Sequence, residues 1–301
     1  MTTTPSRLRP GPTTPRRSRR PRARFVAAAL LTVTALLVTL PDRLGGLDCV
    51  TPFTQIVAFR PYVTVAVGLA ALVALVATVF RRRWWPFAAG LLAIAVAGAA
   101  VVVPRLVADP APTGGRPLSV LVANVYQGRA DPRGVADLVA ADRPDLVSLP
   151  EAGARFRDHI APLVAPLGYQ ARSSTPPGVP DVMGTTVLVA DRLGAVDITV
   201  GTTIEVPYLQ VTGGELGELR FVAIHPRSPL PDRVGQWRDE LRQLAQWCAG
   251  PTPAVVAGDL NATLDHSVQP AIADRSAEWS SVALRSPATT AGVGPAHHCA
   301  S

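Results

Sequence analysis

The chain has 301 residues, 48% of them apolar, and a mean hydropathy of +0.24. That apolar share excludes disorder or a fibrous repeat as the main organisation, and three cysteines (Cys49, Cys248 and Cys299) cannot build a disulfide framework. The formal charge of +7 is divided unevenly: residues 1–103 hold 13 Arg and two acids, Asp42 and Asp48, for a net of +11, and residues 104–301 hold 16 Arg and 20 acids, for a net of −4. The basic excess therefore belongs to the first third. The larger part is mildly acidic, a balance that argues against tight nucleic-acid binding.

Residues 1–24 are rich in Pro, Thr and Arg, with eight Arg and no acid. They cannot bury enough apolar surface to fold alone and read as a disordered basic tail. Three uncharged apolar runs follow at 25–40, 62–80 and 84–103, with lengths of 16, 19 and 20 residues. A bilayer core of about 30 Å needs about 20 helical residues. Helices of soluble cores carry a polar stripe, and these runs carry none, so residues 25–103 read as three transmembrane helices. The first run also has the basic flank of a signal peptide. Thr39-Leu40-Pro41-Asp42 offers no small-x-small cleavage site, however, so the helix reads as retained.

Orientation follows from the arginines. Eight lie in the tail and three, Arg81-Arg82-Arg83, between the second and third runs, against two Arg and two Asp in residues 41–61. This places the N-terminus in the cytoplasm and residues 104–301 outside it, in a multi-pass protein of the cell membrane whose first partner is the lipid bilayer. Trp84 and Trp85 fall where an interfacial aromatic belt is expected.

Residues 104–117, with clustered Pro and Gly, read as a linker. Short apolar runs at 118–123, 146–149, 185–190, 219–224 and 254–257 read as buried strands. Residues 131–142 read as a helix with Asp131 as N-cap and Pro132 at its first position. A second helix at 233–248 carries Val234, Trp237, Leu241, Leu244 and Trp247 at three- and four-residue spacing. Alternating strands and helices imply an α/β fold.

Four of these strands hand over to polar residues: Asn124, Glu151, His225, and the pair Asp259 and Asn261. Ligand sites in layered α/β folds gather at such strand ends. Glu151 is a hard oxygen ligand suited to Mg²⁺, and Asn124 adds an uncharged oxygen. Asp259 has the chemistry to position or deprotonate water. Asn261 and His225 can donate to a phosphoryl oxygen. Together they describe metal-assisted attack of water on a phosphate ester. No His or Cys pair has zinc-ligand spacing, and His297-His298-Cys299 reads as a polar tail.

Residues 118–128 (LSVLVANVYQG), 144–151 (PDLVSLPE), 221–229 (FVAIHPRSP) and 255–263 (VVAGDLNAT) stand in the order found in the endonuclease/exonuclease/phosphatase superfamily. The chain resembles that family over residues 118–265, and with its three-helix anchor it is similar to the membrane-anchored actinobacterial members. The resemblance implies a four-layered α/β sandwich preceded by three transmembrane helices, and a divalent-metal phosphoesterase. It implies Asn124 and Glu151 as metal ligands, and His225, Asp259 and Asn261 as the catalytic group. Pro150 replaces the usual Gln before the glutamate. The Asp-His segment that closes the family is missing: residues 283–294 resemble the stretch before it, and the chain stops at Ser301. The resemblance thus implies a C-terminally incomplete or frameshifted domain.

The expectation is a membrane-anchored phosphoesterase acting outside the cytoplasm with Mg²⁺, or Mn²⁺ in its place, on a phosphate ester of open class. Nucleic acid is the less favoured partner. One alternative is a catalytically inactive or truncated relative with a binding role or none. Another, a small transporter subunit, is weakened by membrane runs without charged site residues.

Overall fold

The structure is a computed structural model describing residues 20–106, 118–249, 252–267, 282–284 and 297–299. The helices of the first third are α1 (Arg20–Thr39), a short α2 (Phe53–Val57), α3 (Arg60–Phe80) and α4 (Trp85–Val102). Three of them, α1, α3 and α4, are long and apolar enough to cross a membrane. α1 begins at Arg20 rather than at residue 25. Pro21 is tolerated in a first turn, and Arg and Ala propagate a helix readily. Residues 1–19 of the expected tail and 107–117 of the expected linker lie outside the described residues.

Small side chains let these helices approach closely. Ala35, Ala71, Ala74 and Ala88 are buried between them with Leu91 and Ile94. A Cβ on Gly90 of α4 would fall 2.0 Å from the Thr32 hydroxyl of α1. Leu69, Val73, Val76 and Val79 face outward and are exposed.

The remaining elements are β1 (Leu118–Val122), α5 (Pro132–Asp142), β2 (Leu146–Pro150), α6 (Ala154–Val164), β3 (Tyr169–Ser173), β4 (Thr185–Ala190), β5 (Val196–Gly201), β6 (Tyr208–Gly213), β7 (Arg220–Ile224), α7 (Val234–Ala249), β8 (Ala254–Gly258), β9 (Val282–Leu284) and β10 (His297–Cys299). The strands form two five-stranded sheets, ordered β3-β4-β2-β1-β9 and β10-β8-β7-β6-β5. Within them β1 runs parallel to β2 and β9, and β7 parallel to β8.

Strand side chains alternate between faces, and each face finds a partner. Val120, Leu146 and Val187 of the first sheet meet Leu209, Phe221 and Val255 of the second. On the outer face of the first sheet, Leu121, Val147 and Leu188 pack against Val139 of α5 and Phe156 and Ile160 of α6. Beneath the second, Val222, Ile224 and Val256 pack against Trp237, Leu241 and Leu244 of α7. The layers are helix, sheet, sheet and helix, the four-layered α/β sandwich expected. α5 is capped as the sequence indicates, Asp131 accepting from the Arg133 backbone N–H at 3.1 Å.

One reading is corrected. Residues 297–299 are not a plain polar tail: they form β10, antiparallel to β8. Pairing satisfies the backbone groups along the edge of β8 and needs no apolar side chain, so hydropathy does not reveal it. β9 similarly extends the first sheet beside β1.

The segment between α1 and α3 folds back on the sandwich. Arg60, fully buried, pairs with Asp42 and, at 2.7 Å, with Asp265 beyond β8. Asp48 accepts from the Ser267 backbone N–H at 2.6 Å, and the Gln55 amide donates to the Pro229 carbonyl at 2.6 Å. His266 Nδ1 accepts from the Thr263 N–H, so Nε2 carries the proton and donates to the Thr54 carbonyl at 3.0 Å. Burial holds the His266 pKa below its ordinary value, against the opposing pull of the Thr54 and Thr263 backbone and of Asp48 and Asp265.

Arg60→Met removes the buried cation that joins Asp42 to the buried Asp265, a loss of about 3–5 kcal/mol. Hydrogen exchange in the full chain is expected to show faster exchange across residues 259–267. The His266 contact adds a pH dependence. Above pH 6.5, the ordinary histidine value, the ring is neutral in both the docked and the released segment. As the pH falls below it, the released ring takes up a proton first, so docking weakens on acidification. Protection of the same segment, taken against the intrinsic amide exchange rate at each pH, is expected to fall from pH about 8 to pH about 5.5, and less so in His266→Gln.

Candidate active site

β1 and β2 are parallel, as are β7 and β8, and the residues that follow these four strands meet at one end of the sandwich. The two sheets are tied there by the Ser148 hydroxyl of β2, which donates to the Ala257 carbonyl of β8 at 3.0 Å. The five residues singled out in the sequence converge. The Asn124 amide nitrogen donates to Glu151 Oε1 at 3.1 Å and to Asp259 Oδ2 at 2.9 Å. His225 Nε2 lies 3.5 Å from Glu151 Oε1, and its Nδ1 is 2.8 Å from the Asp259 carbonyl oxygen.

Asn261 is held differently. Its backbone N–H donates to Asp259 Oδ1 at 3.0 Å, and its amide donates to the Pro226 carbonyl at 2.9 Å. The Asn261 amide oxygen accepts from the Ser228 hydroxyl at 3.1 Å. It therefore joins the loop after β7 to the loop after β8. Trp237 of α7 supports the same turn, its indole N–H donating to the Leu260 carbonyl at 3.3 Å. Gly258 fits because β7 approaches so closely: a Cβ there would fall 1.7 Å from the Ile224 carbonyl oxygen.

The backbone at the site is strained. Among the described residues five non-glycine positions have positive φ, and four of them, Tyr126, Gln127, Glu151 and Asn261, belong to these loops. Each such position is costly and is retained where surrounding contacts enforce it. The enforcing contacts here are short. The Gln127 N–H donates to Glu151 Oε2 at 2.6 Å, and the Tyr126 N–H to the Asn124 amide oxygen at 2.8 Å.

The electrostatics follow from this packing. The hydrogen bond from His225 draws the Glu151 carboxyl below the usual carboxylate range. Burial opposes the shift, and Asn124 and the Gln127 N–H reinforce it. For His225 burial is the largest influence and disfavours protonation. The Glu151 hydrogen bond and the nearby Asp259 outweigh it and raise the pKa above the ordinary histidine value. Both ring nitrogens face acceptors, as an imidazolium requires.

Among the described residues no three His, Cys, Asp or Glu side chains form a preassembled cation cage. The donor set still fits Mg²⁺, which binds through one or two carboxylates and takes its other oxygens from substrate and water. Glu151 supplies such a carboxylate in its charged form, beside Asn124 and Asp259.

Sequence reasoning did not find Gln127, Ser228 or Asp181. The first acts through its backbone, and the second through a hydroxyl with no spacing signal. Asp181 is buried, accepts from the Phe156 N–H at 3.2 Å and pairs with Arg155, holding the start of α6. Beside it opens a cleft of about 580 Å³, lined among others by Gln127, Arg129, Arg155 and Asp181. Two guanidinium groups thus line this cleft, that of Arg155 being paired with Asp181.

Comparison with known proteins gives the following. The sequence profile described as the Endonuclease/Exonuclease/phosphatase family matches residues 121–300. A search of curated proteins finds no significant match. Among solved structures, a humanized TDP2 of D. rerio is similar at 18% identity over 50% of this chain and 65% of that one, with a TM-score of 0.42. The human Nocturnin catalytic domain is similar at 19% identity over 57% and 74%, with a TM-score of 0.39. A protein of Beutenbergia cavernae is similar at 20% identity over 47% of each chain, with a TM-score of 0.35. The match therefore spans just under two thirds of the TDP2 chain. With the profile covering more than half of its residues and the four-layered sandwich carrying its motifs to one end, the chain belongs to the endonuclease/exonuclease/phosphatase family.

Proposed function

We propose that this protein is a membrane-anchored, divalent-metal-dependent phosphoesterase whose catalytic domain lies outside the cytoplasm. The single observation that carries the reading is the Asn124 amide, which reaches the carboxylates of Glu151 and Asp259 from two different sheets. Family membership supports hydrolysis of a phosphoric ester.

Glu151 and Asn124 are the residues that would hold Mg²⁺, or Mn²⁺ in its place. A bound cation there neutralises phosphoryl charge and favours attack by water. The chain's own groups supply the rest. Asp259 Oδ1 is fixed by the Asn261 N–H and its Oδ2 by Asn124, so the carboxylate is oriented to position a water and accept its proton. His225, drawn toward its protonated form between Glu151 and the Asp259 carbonyl, supplies positive charge beside the phosphoryl group and holds Glu151 in place. Asn261 holds the turn that carries Asp259 and places its amide at the same rim. Arg129 and Arg155 line the adjoining cleft, where an anionic substrate is received.

Sidedness rests on the arginines and on the docking of residues 41–60 against the sandwich, which places both at one end of the helices. Protease added to intact spheroplasts is expected to cleave residues 118–301 while sparing an N-terminal tag. Sparing of both would put the domain in the cytoplasm.

The activity is tested with the full chain in detergent micelles and bis(p-nitrophenyl) phosphate. Turnover is expected with Mg²⁺ or Mn²⁺ and not with EDTA. Glu151→Gln and Asp259→Asn are each expected to reduce it by about 10²–10⁴-fold, with unchanged thermal unfolding. Absence of metal-dependent turnover, with Glu151→Gln indistinguishable from the parent, would identify a non-catalytic relative.

A further inference from the structure

We infer that the catalytic end of the sandwich rests on the bilayer surface and that the substrate is a phosphate ester carried by a membrane lipid. The inference rests on the phosphoesterase reading above and adds the substrate class.

The first support is the path of the site loops. Beyond β7 the chain passes from His225 through Pro226 and Ser228, both bonded to Asn261, to Pro229, which accepts from Gln55 of α2. Beyond β8 it passes from Asp259 and Asn261 to Asp265, His266 and Ser267, which meet Arg60, Thr54 and Asp48. Arg60 is the first residue of the apolar helix α3, a candidate membrane span. The segment joining two such helices is thus seated on the same two loops that carry the site, and the lipid surface lies at that end of the sandwich.

The second support is independent of these contacts. Four large apolar side chains are exposed among the described residues of 118–301: Tyr126, Val200, Leu230 and Leu264. Tyr126 follows β1, Leu230 follows β7 and Leu264 follows β8. Val200 is the penultimate residue of β5, which runs in the same direction as β7. None lies at the opposite end. Val50 and Phe59 of the docked segment are also exposed. A water-facing rim of this kind loses apolar contact with solvent only if something covers it, and the covering surface nearest along the chain is the bilayer. Tyrosine and leucine suit the headgroup boundary.

The polar groups inside the rim are equally apt. Arg129 and Arg155 line the cleft beside Gln127, whose N–H binds Glu151, and Arg155 is paired there with Asp181. A cation such as Arg129 attracts anionic headgroups. The domain as a whole is acidic, so it lacks a long-range field to gather a soluble polyanion. A lipid-borne ester needs no such field, because diffusion within the leaflet brings it to the site.

The test uses the full chain in nanodiscs of phosphatidylglycerol and phosphatidylcholine. A solvatochromic fluorescent amino acid at position 230 or 264 is expected to shift to the blue and to be quenched by brominated lipid, and one at position 218, before β7, is not. Equal quenching at all three positions overturns the membrane seat. In the hydrolysis arm, phosphatidylglycerol in the disc is compared with its soluble deacylated headgroup diester. Leu230→Ser with Leu264→Ser is expected to lower turnover of the disc lipid about tenfold, the loss of buried apolar area acting on lipid engagement alone. Turnover of the soluble diester is expected to stay within about twofold. Hydrolysis of the soluble diester with the disc lipids untouched overturns the lipid substrate. No hydrolysis of either overturns the phosphoesterase reading itself, and the quenching then decides the membrane seat alone.

Discussion

A neutral amide between two carboxylates is the contact on which the site depends. Asn124 donates both to Glu151, at the end of one sheet, and to Asp259, at the end of the other. Two carboxylates so close would repel each other. The amide, the His225 ring and the backbone N–H groups of Gln127 and Asn261 supply donors to both. The arrangement requires the sheets to be in register at that end, which the bond from Ser148 to the Ala257 carbonyl and the apolar layer between the sheets maintain. The positive φ values of Glu151 and Asn261 are sustained by the same contacts.

The helices and the sandwich are joined by more than a linker. Arg60 is fully buried between Asp42 and Asp265 and so belongs to both parts. A buried cation between two carboxylates contributes little net stability but penalises any arrangement that separates them. It therefore acts as a register device. The contacts it accompanies fall on loops that carry Asn261 and follow His225, so the orientation of the site is tied to that of the helices.

The strands that carry the site were legible because they are buried on both faces and read as continuous apolar runs; β4 begins and ends as the sequence predicts, and α5 and α7 do so within a residue. The elements that escaped notice have physical reasons. α6 contains Pro162 and has no side-chain N-cap, its first turn being held by Asp181 from a distant stretch. β3 and β5 alternate between exposed and partly buried residues, so neither forms an apolar run. β10 pairs with β8 through backbone bonds, which hydropathy does not register.

The sequence by itself determined three apolar spans, an α/β domain after them, and which polar residues end its strands, because hydropathy, periodicity and turn chemistry are local properties. Only the tertiary structure decided that these strand ends share one place. It also decided that Asn261 binds other loops rather than facing the site alone, and that the segment before α3 seats on the catalytic loops. Those outcomes depend on contacts between distant residues: 35 positions for Asn261 with Pro226, and more than a hundred for Asn124 with Asp259 and Arg60 with Asp265. No local pattern encodes such pairs; they arise when two sheets close on a common apolar layer.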